Sequence, residues 1–206
     1  MQYKIVKREF FLCKQKIYFF EFGVDLLIIM WYNNNGVLFL AKLIWRLFMA
    51  NRNLMPLYKK LYGKSFSYSN FDQRMEMQKA VYLLQDMGVP VGDYGFRWYL
   101  HGPYSQTLLD DMHFEDGRRI TELPLYDDYA ESIDKLYSII HSKERGGYSI
   151  TEWVECLASL HYLKENVMSF NATCDDVICE LEKRKKHLAD HTVNTNAYHL
   201  VAGLFA

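Results

Sequence analysis

The chain has 206 residues, half of them hydrophobic, with Lys+Arg 24 against Asp+Glu 25 and a net charge of −1. That length supports one or two modest domains with enough core to fold unaided, and the near-neutral balance offers no global basic field to nucleic acid. Cys13, Cys156, Cys174 and Cys179 are scattered, a usage that suits a reducing cytoplasm better than a disulfide framework.

The first 48 residues differ in kind from the rest. They hold 12 of the 33 aromatic residues and a net charge of +4, leaving −5 for residues 49–206. Apolar runs span Tyr18 to Tyr32 and Val37 to Phe48, but Glu21 and Asp25 interrupt the first and Lys42 and Arg46 the second. Neither reaches the ~18 uninterrupted apolar residues of a membrane span. No small-residue cleavage site follows, so a secretory signal is not expected. The break in composition predicts that translation starts at Met49 or Met55 and that residues 1–48 stand outside the fold. The alternative is a membrane-surface helix with Lys42 and Arg46 on one polar stripe.

From Met49, Leu54, Leu57, Tyr58 and Leu61 make a short helical stripe that Gly63 ends. A polar loop, Ser65 to Asn70, leads into a helix with Met77, Ala80, Val81 and Leu84 at i, i+3, i+4 and i+7, and with Asp72, Arg74, Glu76 and Asp86 outside that stripe. Asn70 and Asp72 supply caps, and Gly88 with Pro90 stops the helix. Gly92 and Gly95 bracket a turn into a short aromatic strand, Phe96 to Leu100, which Gly102-Pro103 breaks. Ser105 caps the next helix, with Leu108, Leu109 and Met112 inward and Asp110 and Asp111 outward. After the Glu115-Asp116-Gly117 turn, Arg118 to Thr121 reads as a returning strand that pairs with Phe96–Leu100 as a small wing.

Helices then follow in series. Asp127 or Asp128 starts one with a stripe of Ile133, Leu136, Tyr137 and Ile140. Ser149 and Glu152 form a capping box for one that buries Trp153, Leu157 and Leu160. Thr173 caps one through Val177, Ile178 and Leu181 that ends in the basic run Lys183 to His187, placed where cations suit the helix dipole. The last is capped near Asn194 or Asn196 and buries Ala197, Leu200, Val201 and Leu204.

Candidate chemistry is sparse. Cys174 and Cys179 lack zinc-site spacing and read as buried helix cysteines. His187 and His191 stand i, i+4 with Asp190 beside them, but no third ligand lies one turn away and Lys185 and Lys186 adjoin, so they read as a solvated helix end. Gly92-Asp93-Tyr94-Gly95 does not join a strand to a helix as a phosphate loop does. His101, in Tyr99-Leu100-His101-Gly102-Pro103-Tyr104, has no paired carboxylate or nucleophile that sequence can place, so an acid/base role is not expected. Aromatics beside a loop fixed by Gly and Pro are what protein interfaces enrich. No metal, cofactor or catalytic residue is expected.

Gln78-Lys79, Tyr82, then Trp98 and Gly102-Pro103 some twenty residues on resemble the signature of the Panacea or SocA-like antitoxin domains. Gly102-Pro103-Tyr104-Ser105 is similar to the branch that includes small prokaryotic proteins and the C-terminal domain of macrodomain antitoxins. Glu152-Trp153, Leu157 to Leu163 and Val177 to Lys185 resemble the helical tail of that branch. The pattern is departed from at Val89 to Gly95. The resemblance implies a mostly α protein, with a winged-helix-like core carrying a short β-hairpin over residues 49–145 and a helical C-terminal subdomain over 146–206. It further implies a non-catalytic module that neutralises or regulates a protein partner, such as a co-encoded toxin, in the cytoplasm. Trp98, His101 and Tyr104 are the expected partner surface, with Gln78, Lys79, Tyr82, Gly102, Pro103 and Ser105 holding its shape.

The runner-up is a winged-helix transcriptional regulator using Arg97, Arg118 and Arg119. A recognition helix from Tyr104 to Asp116 that bears Asp110, Asp111, Glu115 and Asp116 would repel phosphates, which weighs against it.

Overall fold

The computed structural model describes residues 6–12, 15–22, 26–32, 54–116 and 127–205. The chain divides into two units, Met1–Ala50 and Asn51–Ala206. In the first, β1 (Val6–Leu12), β2 (Gln15–Phe22) and β3 (Leu26–Tyr32) form an antiparallel sheet in the order β1-β2-β3, with Val6 opposite Glu21 and Lys16 opposite Tyr32. Aromatic and β-branched residues fill these strands, the composition that suits a pleated surface. The first apolar run is thus divided between β2 and β3. The second, with Lys42 and Arg46, lies outside the described residues. Among the described residues no helix is long and apolar enough to cross a membrane.

The second unit is mostly helical. Its elements are α1 (Leu54–Tyr62), α2 (Phe71–Asp86), β4 (Arg97–Tyr99), β5 (Gly102–Tyr104), α3 (Gln106–Glu115), α4 (Ala130–Ile140), α5 (Ile150–Asn166), α6 (Cys174–Arg184) and α7 (His191–Ala202). One core runs through all the helices, from Leu54, Leu57, Tyr58 and Leu61 through Met77, Val81 and Leu84 to Trp153, Leu157, Val177 and Val201. The boundary expected at 145/146 falls inside this unit.

Helix α2 is the axis of that core. The expected stripe of Met77, Ala80, Val81 and Leu84 is fully buried, but so are Glu76, Gln78, Lys79, Tyr82 and Leu83. Glu76, expected outside, accepts hydrogen bonds from the Tyr58 hydroxyl and, at 2.9 Å, from Thr151. The helix meets α5 on one side and β5 and α3 on another, so polar residues of the middle turns are buried and must be satisfied there.

The caps follow the sequence at most helix starts. The side chains of Asn70, Ser105, Ser149 and Thr173 each accept a backbone N–H of their helix, Ser149 and Thr173 as full capping boxes with Glu152 and Asp176. Helix α4 begins at Ala130 after a 3-10 turn, Asp127–Tyr129, and Tyr137 of its expected stripe is exposed. Helix α7 starts four to six residues earlier than the caps expected at Asn194 or Asn196. Asp190 caps it, and Asn194 is fully buried, donating to Leu188 O and Glu182 and accepting from Tyr148. Cys179, expected buried, is exposed.

The strand pairing also differs. Gly102-Pro103 does not simply end the aromatic strand. It forms the returning strand itself, with Arg97 opposite Tyr104, Trp98 opposite Pro103 and Tyr99 opposite Gly102. Arg118 to Thr121 lie outside the described residues.

Candidate functional site

Two adjacent residues of α2, Gln78 and Lys79, hold the end of the β4–β5 hairpin and the α3 cap by their backbone. Gln78 donates from Nε2 to Ser105 O at 2.8 Å and accepts from Ser105 N at 2.9 Å, so one amide side chain reads both backbone groups of the α3 cap. Lys79 donates to Pro103 O at 2.7 Å. Tyr82 sits beneath, its hydroxyl 2.8 Å from His161 Nδ1 and its ring edge-on to Phe96. Gly102 has φ +85°, which side chains other than glycine rarely adopt, and a Cβ there would lie 2.3 Å from Ser159 Oγ on α5. These six residues, far apart in sequence, therefore meet along one seam between α2, α5 and the hairpin.

The outer face of that seam is apolar and open. Phe71 is 52 % exposed, Tyr99 59 % and Leu100 74 %. With Arg74, His101 and Tyr104 they line a cavity of about 240 Å³ whose floor includes Gln78 and Lys79. His101 stands edge-on to Phe71, and Tyr104 leans on Tyr99 and donates to Gln106 at 2.6 Å. Trp98 turns the other way. It is half-buried against Tyr162, with the Arg184 guanidinium 5.1 Å from its ring centre. Arg97 is exposed, and Arg118 and Arg119 lie outside the described residues.

A buried ion pair stands behind the hairpin turn. Lys185 Nζ is 2.6 Å from Glu155 Oε1, with both side chains 1 % exposed, and also donates to Leu100 O at 2.9 Å. Lys185 was expected at a solvated helix end. It instead caps α6 by turning into the core, where only a carboxylate makes its charge tolerable. Burial raises the Glu155 carboxyl, but Lys185, His187 and His101 outweigh it and hold the group ionised, below its usual value. His101 Nδ1 lies 3.4 Å from Glu155 Oε1 and His187 Nε2 lies 3.3 Å from Oε2. Burial also pushes Lys79 down to about 7, against the pull of Glu155.

A further buried titratable group, His161, sits between Tyr82 and Asp86, with Nε2 3.2 Å from Asp86 Oδ2 and Phe205 stacked on its ring. Burial pushes it down to about 4. The Tyr82 hydroxyl, which burial holds protonated, donates to Nδ1 of this neutral imidazole.

Sequence reasoning passed over Glu155, Lys185, His161 and the exposed trio Phe71, Tyr99 and Leu100. Glu155 carried a legible signal, since it lies between Trp153-Val154 and Cys156-Leu157 within an apolar helix stretch and a carboxylate there requires a partner. The acidity assigned to α3 is also corrected. Asp111 is buried and accepts from the Tyr94 hydroxyl at 3.0 Å, and Glu115 is buried as well, so half of that charge does not face solvent.

Comparison with protein-family models, with curated proteins and with solved structures finds no match to this chain.

Proposed function

We propose that this chain is a non-catalytic protein-binding module of antitoxin-like type, with a winged-helix-like core, acting in the cytoplasm on a protein partner such as the product of a neighbouring reading frame. The observation that carries this reading is the exposed trio Phe71, Tyr99 and Leu100 around an open cavity, Phe71 at the start of α2 and the other two on a hairpin whose backbone is already held by Lys79 and Lys185. Exposed apolar clusters of this kind mark contact surfaces. A turn fixed before binding loses little entropy on association, and aromatic or aliphatic anchors supply most of an interface's energy. The partner then offers an apolar anchor to the cavity, with His101 and Tyr104 beside it. Trp98 supports the turn from beneath. The free cysteines Cys156, Cys174 and Cys179 agree with a reducing compartment.

A second reading, a winged-helix DNA-binding regulator, gains from the burial of Asp111 and Glu115 and from the exposure of Arg97. Against it stands the net −5 of residues 49–206. One experiment separates the two. Leu100→Asp and Tyr99→Ala change exposed side chains and are expected to leave the melt unchanged while weakening capture of the neighbouring gene product by at least about tenfold. Capture that both variants retain overturns the interface. A salt-sensitive, sequence-dependent mobility shift by the parent chain, lost in Arg97→Ala but not in Leu100→Asp, favours the regulator.

A further inference from the structure

We propose that His101, Glu155 and His187 form a binding site for a divalent transition ion of the zinc class. The three come from separate segments: the β4–β5 turn, the middle of α5, and the connection between α6 and α7. Each offers one ligand atom, and the three atoms lie within 4.8 Å of one another. The site shares His101 with the proposed partner surface but does not rest on that reading and would stand if it failed.

The donors converge at about the spacing of zinc ligands. Ligands about 2.0–2.1 Å from zinc at tetrahedral angles stand about 3.3–3.4 Å apart. His101 Nδ1 is 3.4 Å from Glu155 Oε1 and His187 Nε2 is 3.3 Å from Oε2, so the carboxylate faces one imidazole with each oxygen. Two imidazoles and a carboxylate are a donor set that zinc accepts, leaving the fourth position for water.

A second observation concerns His101 alone. Its Nδ1 is buried and has no hydrogen-bond partner, although the Glu155 carboxylate is 3.4 Å away, because the pair is not aligned as a hydrogen bond. A buried nitrogen left in that state is costly, and an ion between the three ligands would satisfy it. The outer shell is also in place. Lys185 donates to Glu155 Oε1 at 2.6 Å, which fixes the carboxylate plane and leaves Oε2 toward His187. The Lys185 ammonium repels an incoming cation, so affinity falls below that of a site with an unpaired carboxylate. The half-exposed edges of His101 and His187, at 42 % and 45 %, give the ion a route in and water to screen that repulsion. His191, the partner that sequence spacing suggested for His187, pairs with Glu182 at 3.2 Å instead.

The test uses the full chain, prepared without a histidine tag and stripped with a chelator. Zinc is titrated in competition with a chromogenic chelator, cobalt is added to a second sample, and the melt is recorded with and without zinc. Expected are one zinc per chain, the intense visible bands of tetrahedral cobalt and a raised melting temperature. His187→Ala should weaken zinc binding by at least about tenfold and abolish the cobalt bands, a cooperative metal-free melt showing that the variant is folded. His101→Gln should do the same, and it reports separately should one variant fold poorly. Absence of stoichiometric uptake overturns the site. So does uptake equal in the parent and both variants, or a pale octahedral cobalt spectrum.

Discussion

His161 is a buried imidazole whose protonation belongs to the unfolded chain. Burial pushes it from 6.5 to about 4, while Glu165 pulls the other way. Burial prevails because the imidazole is enclosed by Tyr82 and the stacked Phe205 ring. Above pH 6.5 both states are neutral and the stabilisation is whole. As the pH falls from 6.5 through 4 the unfolded chain takes up a proton that the folded one refuses, and stability is lost, by up to about 3 kcal/mol. Urea titrations across pH 4 to 7 should show this slope, and His161→Gln, which keeps an acceptor for Tyr82, should flatten it. An unchanged slope in the variant would assign the acid sensitivity to other groups.

The same contrast between type and placement runs through the hairpin and the helices. Replacing Gly102 by Ala imposes a strained positive φ and drives a Cβ to 2.3 Å from Ser159 Oγ, so the hairpin must lift from α5. The expected loss is about 2 to 4 kcal/mol in a thermal or denaturant melt. Ser159→Ala in the same chain should recover the overlap part and leave the backbone part, and by itself should cost little because Ser159 Oγ has no hydrogen-bond partner. That Gly102 was special could be read from Gly-Pro before a capping serine. What it approaches could not, because Ser159 lies far along the chain on a helix whose register no local pattern reveals. The capping boxes at Ser149 and Thr173 were legible because three residues suffice to specify them. The start of α7 was not. Asp190, Asn194 and Asn196 are equally good caps by residue type, and the burial of Asn194 among Tyr148, Leu188 and Glu182 decides between them. Glu76, Asp111, Glu115 and Lys185 failed for a related reason, since charge predicts exposure only where no opposite element supplies a partner.

At the level of the whole chain, the unit Asn51–Ala206 carries its own core from Leu54 to Val201. A chain begun at Met49 is therefore expected to be soluble and to melt in one cooperative transition. Aggregation of that shortened chain while the full one stays soluble would show that the first unit is required. Within the core-bearing unit the hairpin has a further property. Pro103 has no N–H to give, Pro103 O is taken by Lys79, Leu100 O by Lys185, and both backbone groups of Ser105 by Gln78. A two-stranded ribbon would ordinarily invite another chain to add a strand to its free edge. Here Pro103, the middle residue of β5, offers no N–H and has its carbonyl taken by Lys79, so the β5 edge is closed to strand addition. Recognition at this face then passes through side chains such as Phe71, Tyr99 and Leu100, of which Tyr99 and Leu100 can be exchanged one at a time to suit a changing partner while the backbone beneath them stays where it is.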